Sequence, residues 1–187
     1  MAAEQAVVAP ILQLAVPRRA LDVGTGTGRY LPLLAGAGAR LVVGVDLSLA
    51  MLRRQSGDEP RVCSDARRLP FGDGTFDLVC ASLMLGDVED VGDWVREAAR
   101  VLAPGGRLVY SDFHPSWADR RWRRTFRAAD GRQLELTYFH HSIDEHLEHL
   151  ERSSFEVQTI REPRIDGVPA PVVVVFHAVK GRLRRHP

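Results

Sequence analysis

The sequence predicts an α/β protein built on a parallel sheet with helices on both faces, on three observations. Short apolar strands alternate with amphipathic helices through most of the chain. The run Leu21-Asp22-Val23 leads into three glycines on alternate positions, Gly24, Gly26 and Gly28, just ahead of a segment that can start a helix. A second apolar run, Leu41-Val42-Val43-Gly44-Val45, ends in the carboxylate of Asp46, eighteen residues past Gly28. Strands that read as continuous apolar runs belong to sheets buried on both faces.

In chain order, Glu4 to Val16 carries Val7, Val8, Ile11 and Leu12 at helical spacing and stops near Pro17, which predicts one short helix within the first 17 residues. A strand follows near Ala20–Val23, then a helix over Tyr30–Gly36, the strand Leu41–Asp46, a helix over Leu49–Gln55 and a short strand at Arg61–Ser64. Next come a strand at Phe76–Ala81, a helix over Val91–Leu102 and a strand at Arg107–Asp112. Phe113 to Gln133 is rich in arginine, tryptophan and histidine without clear periodicity, which predicts loops before a strand at Gln133–Tyr138. Ser142-Ile143-Asp144-Glu145 reads as a capping box opening a helix to Glu151. Phe155–Ile160 alternates as a strand, and Val172–Val179 is an unbroken apolar run suited to the middle of a sheet. Lys180 to Pro187 is a basic tail.

Glycine has no Cβ, so alternate glycines let the backbone turn sharply at a strand end and approach a ligand closely. Their order here is G-x-G-x-G; a dinucleotide fingerprint places its third glycine one residue later, where this chain has Arg29. An ionised carboxylate at the end of a buried strand needs partners, and Asp46 is placed to take two ribose hydroxyls.

Together with Ser64-Asp65-Ala66, Leu69-Pro70-Phe71, the strand Phe76-Asp77-Leu78-Val79-Cys80-Ala81 and Val101-Leu102-Ala103-Pro104-Gly105-Gly106, these motifs give the chain from about Arg19 to Val179 a resemblance. It resembles the class I S-adenosylmethionine-dependent methyltransferases, in particular their small-molecule branch. The resemblance implies a Rossmann-like, mostly parallel seven-stranded sheet whose last strand is antiparallel and inserts between its neighbours. It implies S-adenosyl-L-methionine as cofactor and methyl transfer to a small organic acceptor at oxygen, nitrogen or carbon. It also implies roles for residues: Asp22 orients the loop of Gly24, Thr25, Gly26 and Gly28 and faces the cofactor ammonium. Asp46 takes the ribose, Leu47 and Met51 cover the adenine, and Asp65 with Ala66 reads its amino group. Ala81, Ser82 and Leu83 line the methionine portion. For Leu47 and Met51, helical spacing suits plain core equally well; for Asp65, a solvent-facing loop aspartate beside Arg67 and Arg68 is the alternative.

The length of 187 residues suits one domain, and a formal net charge of +1 argues against a broad electrostatic grip on nucleic acid or acidic membrane. Cys63 and Cys80 fall in strands expected to be buried, which suits packing in a reducing cytoplasm and gives no disulfide framework or metal site. The chain has neither a leader-like segment nor an apolar run of membrane-spanning length, so a soluble cytoplasmic protein is expected.

If the acceptor must lose a proton, His114, His140 and His141 are the candidate bases, since imidazole titrates near neutral pH. Relatives often carry histidines where this chain has Leu85-Gly86-Asp87, and they have additional N-terminal helices that lid the pocket. Closure is therefore expected from a substrate-side insertion at 113–141, rich in Trp117, Trp122, Phe126, Tyr138 and Phe139, or from a partner subunit in a homodimer. Arg120-Arg121-Trp122-Arg123-Arg124 interleaves base and aromatic as RNA-binding segments do, and equally suits a solvated loop. An RNA or protein methyltransferase, a non-catalytic cofactor-binding subunit and a nicotinamide oxidoreductase are the rival readings, the last disfavoured by the glycine spacing.

Overall fold

A computed structural model describes residues 2–120, 123–128 and 130–181. Its helices are α1 (Ala2–Leu12), α2 (Leu31–Gly36), α3 (Leu49–Leu52), α4 (Val91–Val101) and α5 (Ile143–Arg152). The strands are β1 (Arg19–Val23), β2 (Leu41–Asp46), β3 (Arg61–Cys63), β4 (Phe76–Ser82), β5 (Leu102–Phe113), β6 (Thr125–Arg127), β7 (Gln133–Glu135), β8 (Phe155–Arg161) and β9 (Val173–Lys180). Seven of them form one sheet in the order β3-β2-β1-β4-β5-β9-β8. From β3 to β5 every pairing is parallel, and β9 lies antiparallel between β5 and β8. The expected seven-stranded sheet with its inserted reversed strand is the sheet observed.

Alternation along the strands divides the core. On one face Ala20, Val42, Leu78, Cys80, Val109 and Val175 pack under α1 and α2, with Val8, Leu12, Tyr30, Leu31 and Leu34. On the other, Leu21, Val43, Val79, Tyr110 and Phe176 pack under α4 and α5, with Trp94, Val95, Ala98 and Leu150. The chain moves outward from β1 to β2 and β3, then crosses back to β4, so strand order reverses between β1 and β4. Open α/β sheets hold ligands beyond the carboxyl ends of the strands at such a reversal.

Several expectations need correction. The first helix ends at Leu12 and not near Pro17: Arg107 donates to the carbonyls of Ile11 at 2.9 Å, Leu12 at 3.3 Å and Ala15 at 2.6 Å, satisfying acceptors that a longer helix would have used. Helix α3 is a single turn, opened by Ser48, whose hydroxyl accepts from the Met51 amide at 3.3 Å, and it stops short of Gln55. Cys63 is exposed, because β3 is the sheet's edge, whereas Cys80 in central β4 is buried. The strand expected to reach Tyr138 stops at Glu135; it forms a hairpin with β6, and a 3₁₀ turn over Pro115–Arg120 precedes it. Ser142 caps α5 by accepting from the Glu145 amide at 3.1 Å, while the Glu145 carboxylate lies 3.5 Å from His141 Nδ1. The centre of the arginine–tryptophan cluster, Arg121 and Trp122, and the tail beyond Gly181 lie outside the described residues. Among the described residues no helix is long and apolar enough to cross a membrane, and no group of His, Cys, Asp or Glu is gathered to hold a metal.

Candidate functional site

The glycine loop joins β1 to α2 at the reversal point. Gly24, Gly26 and Gly28 all have left-handed backbone, with φ of 68°, 58° and 87°. Left-handed backbone is strained for other residues. A Cβ at Gly24 would also lie 2.5 Å from Met84 Cβ, and one at Gly28 would lie 2.7 Å from Gln55 Cγ. Asp46 organises the turn: its Oδ2 accepts from the Gly26 amide at 2.8 Å and its Oδ1 from the Ser48 amide at 2.8 Å. Each oxygen keeps a second lone pair, so the carboxylate can hold the loop and still accept from a ligand.

Beside the loop runs an open cleft. Gly24, Asp46, Leu47, Asp65, Ala66, Met84 and Asp87 line it together. Leu47 is 71% exposed and Met51 38%, so neither is core in this structure. Asp65 is held by Arg67, whose amide reaches Oδ1 at 2.8 Å and whose Nη2 reaches Oδ2 at 2.7 Å; these bonds draw its pKa below the usual carboxylate range. Ala81 points into the core. Leu83 has φ of 53°, a left-handed leucine at the turn out of β4.

Asp22 is buried at the end of β1, and its Oδ2 has no hydrogen-bond partner. Burial pushes its pKa up to about 7, opposed by the Thr25 hydroxyl and the Arg29 charge. A buried carboxylate oxygen left without a partner is costly, and at a ligand cleft it marks a place for a donor.

The three candidate histidines do not converge. His114 Nδ1 lies 2.8 Å from Ser116 Oγ, and its Nε2 is 3.8 Å from Glu162. His140 is exposed and packs edge-on against Tyr138 at 4.7 Å. His141 is buried, with Nε2 2.9 Å from the Val88 carbonyl and 3.3 Å from that of Leu85, so it pins the turn after β4.

Two clusters escaped the sequence reading. Glu4 is fully buried: its Oε1 accepts from Ser82 Oγ and Ser111 Oγ, each at 2.5 Å, and its Oε2 is 3.2 Å from Arg29 Nη2. On the opposite face of the sheet, His146 places Nδ1 3.3 Å from the Tyr110 hydroxyl and Nε2 3.6 Å from Asp112 Oδ2, while the Tyr138 hydroxyl donates to Asp112 Oδ1 at 3.0 Å. A signal existed for both. Glu4 shares a helical stripe with Val8 and Leu12, and His146 with Leu150, and a titratable residue on a buried stripe must find partners.

A family model described as a methyltransferase domain matches residues 21–110, which span the glycine loop, Asp46, Asp65 and the strand β4. Over those residues the chain is similar to a methyltransferase domain. Among its relatives, the demethylmenaquinone methyltransferase of Mycolicibacterium vanbaalenii is 46% identical over 103 residues, covering 54% of this chain and 45% of that protein. The chain thus spans about half the length of the curated relatives it matches. An S-adenosylmethionine-dependent methyltransferase from Mesorhizobium loti superposes with a TM-score of 0.78 at 24% identity, covering 95% of this chain and 98% of that one. The [4+2]-cyclase SpnF has the same fold, with a TM-score of 0.73 at 20% identity over 95% of this chain and 80% of its own. At such identities the likeness of these class I folds extends to architecture alone.

Proposed function

We propose that this chain binds S-adenosyl-L-methionine in the cleft beside the glycine loop and transfers its methyl group to a small organic acceptor, releasing S-adenosylhomocysteine. The observation that carries the reading is the junction of three left-handed glycines, the loop-holding Asp46 and the unpartnered Asp22 oxygen at the sheet's reversal point. These residues fit the cofactor. Asp22 offers a buried acceptor to an ammonium group, Asp46 keeps lone pairs for ribose hydroxyls, and a side chain at Gly24 would collide with Met84. In this reading Leu47, Met51, Asp65 and Ala66 cover and read the adenine, and the backbone from Ala81 to Leu83 flanks the amino-acid end.

When bound, the cofactor supplies an electrophilic methyl on a sulfonium whose charge vanishes as the methyl leaves. The protein's part is then to align the acceptor and keep water out. Segment 113–141 supplies groups for this. The Tyr138 ring lies so close to Gly86 that a Cβ there would be 1.8 Å from Cε2, and the ring meets Phe113 at 5.7 Å, covering the carboxyl ends of β4 and β5. The relatives' acceptor, a demethylated menaquinone by their name, makes a ring carbon or hydroxyl the first acceptor to test. For a proton lost there, Tyr138 with Asp112 and His146 is better connected than His114.

Calorimetric titration with S-adenosylhomocysteine tests the binding step. One-to-one binding and a raised melting temperature are expected, since a ligand that binds only the folded state stabilises it. Binding of NADH in its place, with no response to millimolar S-adenosylhomocysteine, overturns the assignment.

A further inference from the structure

We propose that Arg100 and Glu97 of α4 are positioning residues that set the base selectivity of the cleft, by bracing the segment that carries Asp65 and Ala66. The inference rests on the cofactor reading above and adds to it two residues that stand behind the cleft lining.

One wall of the cleft is a short piece of irregular chain, Ser64 to Arg67, just past the end of β3. That strand is three residues long and lies at the sheet's edge, so the backbone groups that follow it must find partners elsewhere. They find them in two places. Within the turn, the Arg68 amide donates to the Asp65 carbonyl at 3.0 Å, and Ser64 Oγ donates to the Arg68 carbonyl at 3.0 Å. Beyond the turn, α4 takes over. Glu97 Oε1 accepts from the Leu69 amide at 2.6 Å, while Arg100 donates from Nη2 to the Leu69 carbonyl at 3.0 Å and from Nη1 to the Phe71 carbonyl at 2.7 Å. Both backbone groups of Leu69 are thus held by one pair of side chains.

The pair is itself fixed. Arg100 Nε reaches Glu97 Oε2 at 2.9 Å and Nη2 reaches Oε1 at 2.7 Å, a fork-to-fork contact, while Nη1 also reaches Asp73 Oδ1 at 2.8 Å. The Arg100 guanidinium holds the Glu97 carboxyl below the usual carboxylate range, so the acceptor for the Leu69 amide stays charged at neutral pH. The Arg100 carbonyl accepts from the Gly74 amide at 2.9 Å and closes the far end of the segment. A planar guanidinium can serve two carbonyls and two carboxylates at once in fixed directions, which an ammonium on a flexible stem cannot.

Fixed direction matters for base recognition. Adenine and hypoxanthine differ in one exocyclic group, an amino donor in the first and a carbonyl acceptor in the second. The Asp65 carboxylate suits the donor and repels the acceptor, and it tells them apart only while its position is fixed. A wall that drifts loses the preferred base and gains nothing with the other.

Two ligands read the base: S-adenosylhomocysteine, and S-inosylhomocysteine with the carbonyl in place of the amino group. Their dissociation constants are measured by calorimetry on wild type, Arg100→Gln, Glu97→Gln and Arg96→Gln, each shown to be folded by circular dichroism. Wild type should favour S-adenosylhomocysteine by about tenfold or more, the scale of one charge-assisted hydrogen bond. In Arg100→Gln the preference should fall to about threefold or less, through weaker binding of S-adenosylhomocysteine while S-inosylhomocysteine changes by less than about twofold. Glu97→Gln keeps an acceptor for the Leu69 amide but loosens Arg100, so its preference should fall between the two, and it decides the matter if Arg100→Gln does not fold. Arg96→Gln, whose ion-pair partner is Asp93 on the same helix, should leave the preference unchanged. A purely structural role would weaken both ligands alike or lower only the melting temperature, and either result overturns the proposal. So does a wild type that binds both ligands equally, because the wall then does not read the base. Wild type that binds neither ligand overturns the cofactor reading itself, an outcome distinct from the others.

Discussion

Asp22→Asn should make the ligand-free protein more stable and its ligand complex weaker. In the folded chain burial pushes the Asp22 pKa from 3.8 to about 7. The raised value means the folded state prefers the protonated form, while the unfolded chain ionises freely above its ordinary pKa. Stability is therefore fully present below pH 4 and is lost as pH rises through 7. A shift of about three units corresponds to a cost of about 4 kcal/mol at pH 8, shrinking to about 2 kcal/mol at pH 5 and vanishing near pH 3. Asparagine cannot ionise, but its amide brings two donors into the same buried space, so a net gain of about 2 to 4 kcal/mol at pH 8 is expected. Urea unfolding of both proteins at pH 5 and pH 8, without ligand, measures this. A variant whose advantage does not grow between those pH values would refute the argument, because then Asp22 is not buried and ionised as described. The same linkage acts on binding. An ammonium-bearing ligand selects ionised Asp22, so affinity for S-adenosylhomocysteine should fall as pH drops below 7, with proton release detectable in buffers of different ionisation enthalpy.

Three further outcomes follow from the geometry. Asp46→Ala removes the acceptor for the Gly26 and Ser48 amides and, in the proposed reading, the ribose partner; methylthioadenosine and S-adenosylhomocysteine should both weaken by more than about tenfold in titration, a loss of about 1.5 to 3 kcal/mol. Gly86→Ala forces the Tyr138 ring away and should destabilise the fold by about 1 to 3 kcal/mol in denaturant, as overpacking does, with little change if segment 113–141 is not seated on that turn. Hydrogen exchange with and without S-adenosylhomocysteine and a demethylated naphthoquinol should show slower exchange in 113–141 when ligand is present; protection equal to that of β1 and β4 before ligand is added would make this segment core and not a cover.

The glycine turn after β1 and the carboxylate that ends β2 were legible in the sequence because each is written in a short run of residues. A strand that runs into left-handed turns must use glycine, and a buried strand ending in aspartate must supply that charge with partners, so Gly24, Gly26, Gly28 and Asp46 could be read from spacing alone. Alternating apolar strands and helices likewise determined the layers of the fold. Other features depended on atoms brought together from distant parts of the chain. Glu4 meets Ser82 and Ser111 across 78 and 107 residues of sequence, and Tyr138 meets Asp112 across 26. No local pattern encodes such pairings, because burial imposes the need for a partner without naming it. The helix end at Leu12 was misread for the same reason: Arg107, ninety-five residues away, takes its last carbonyl. Histidine content pointed to His114, His140 and His141 as proton carriers, yet only packing could reveal that His141 is spent on carbonyls of the β4 turn and that His146 faces a buried carboxylate.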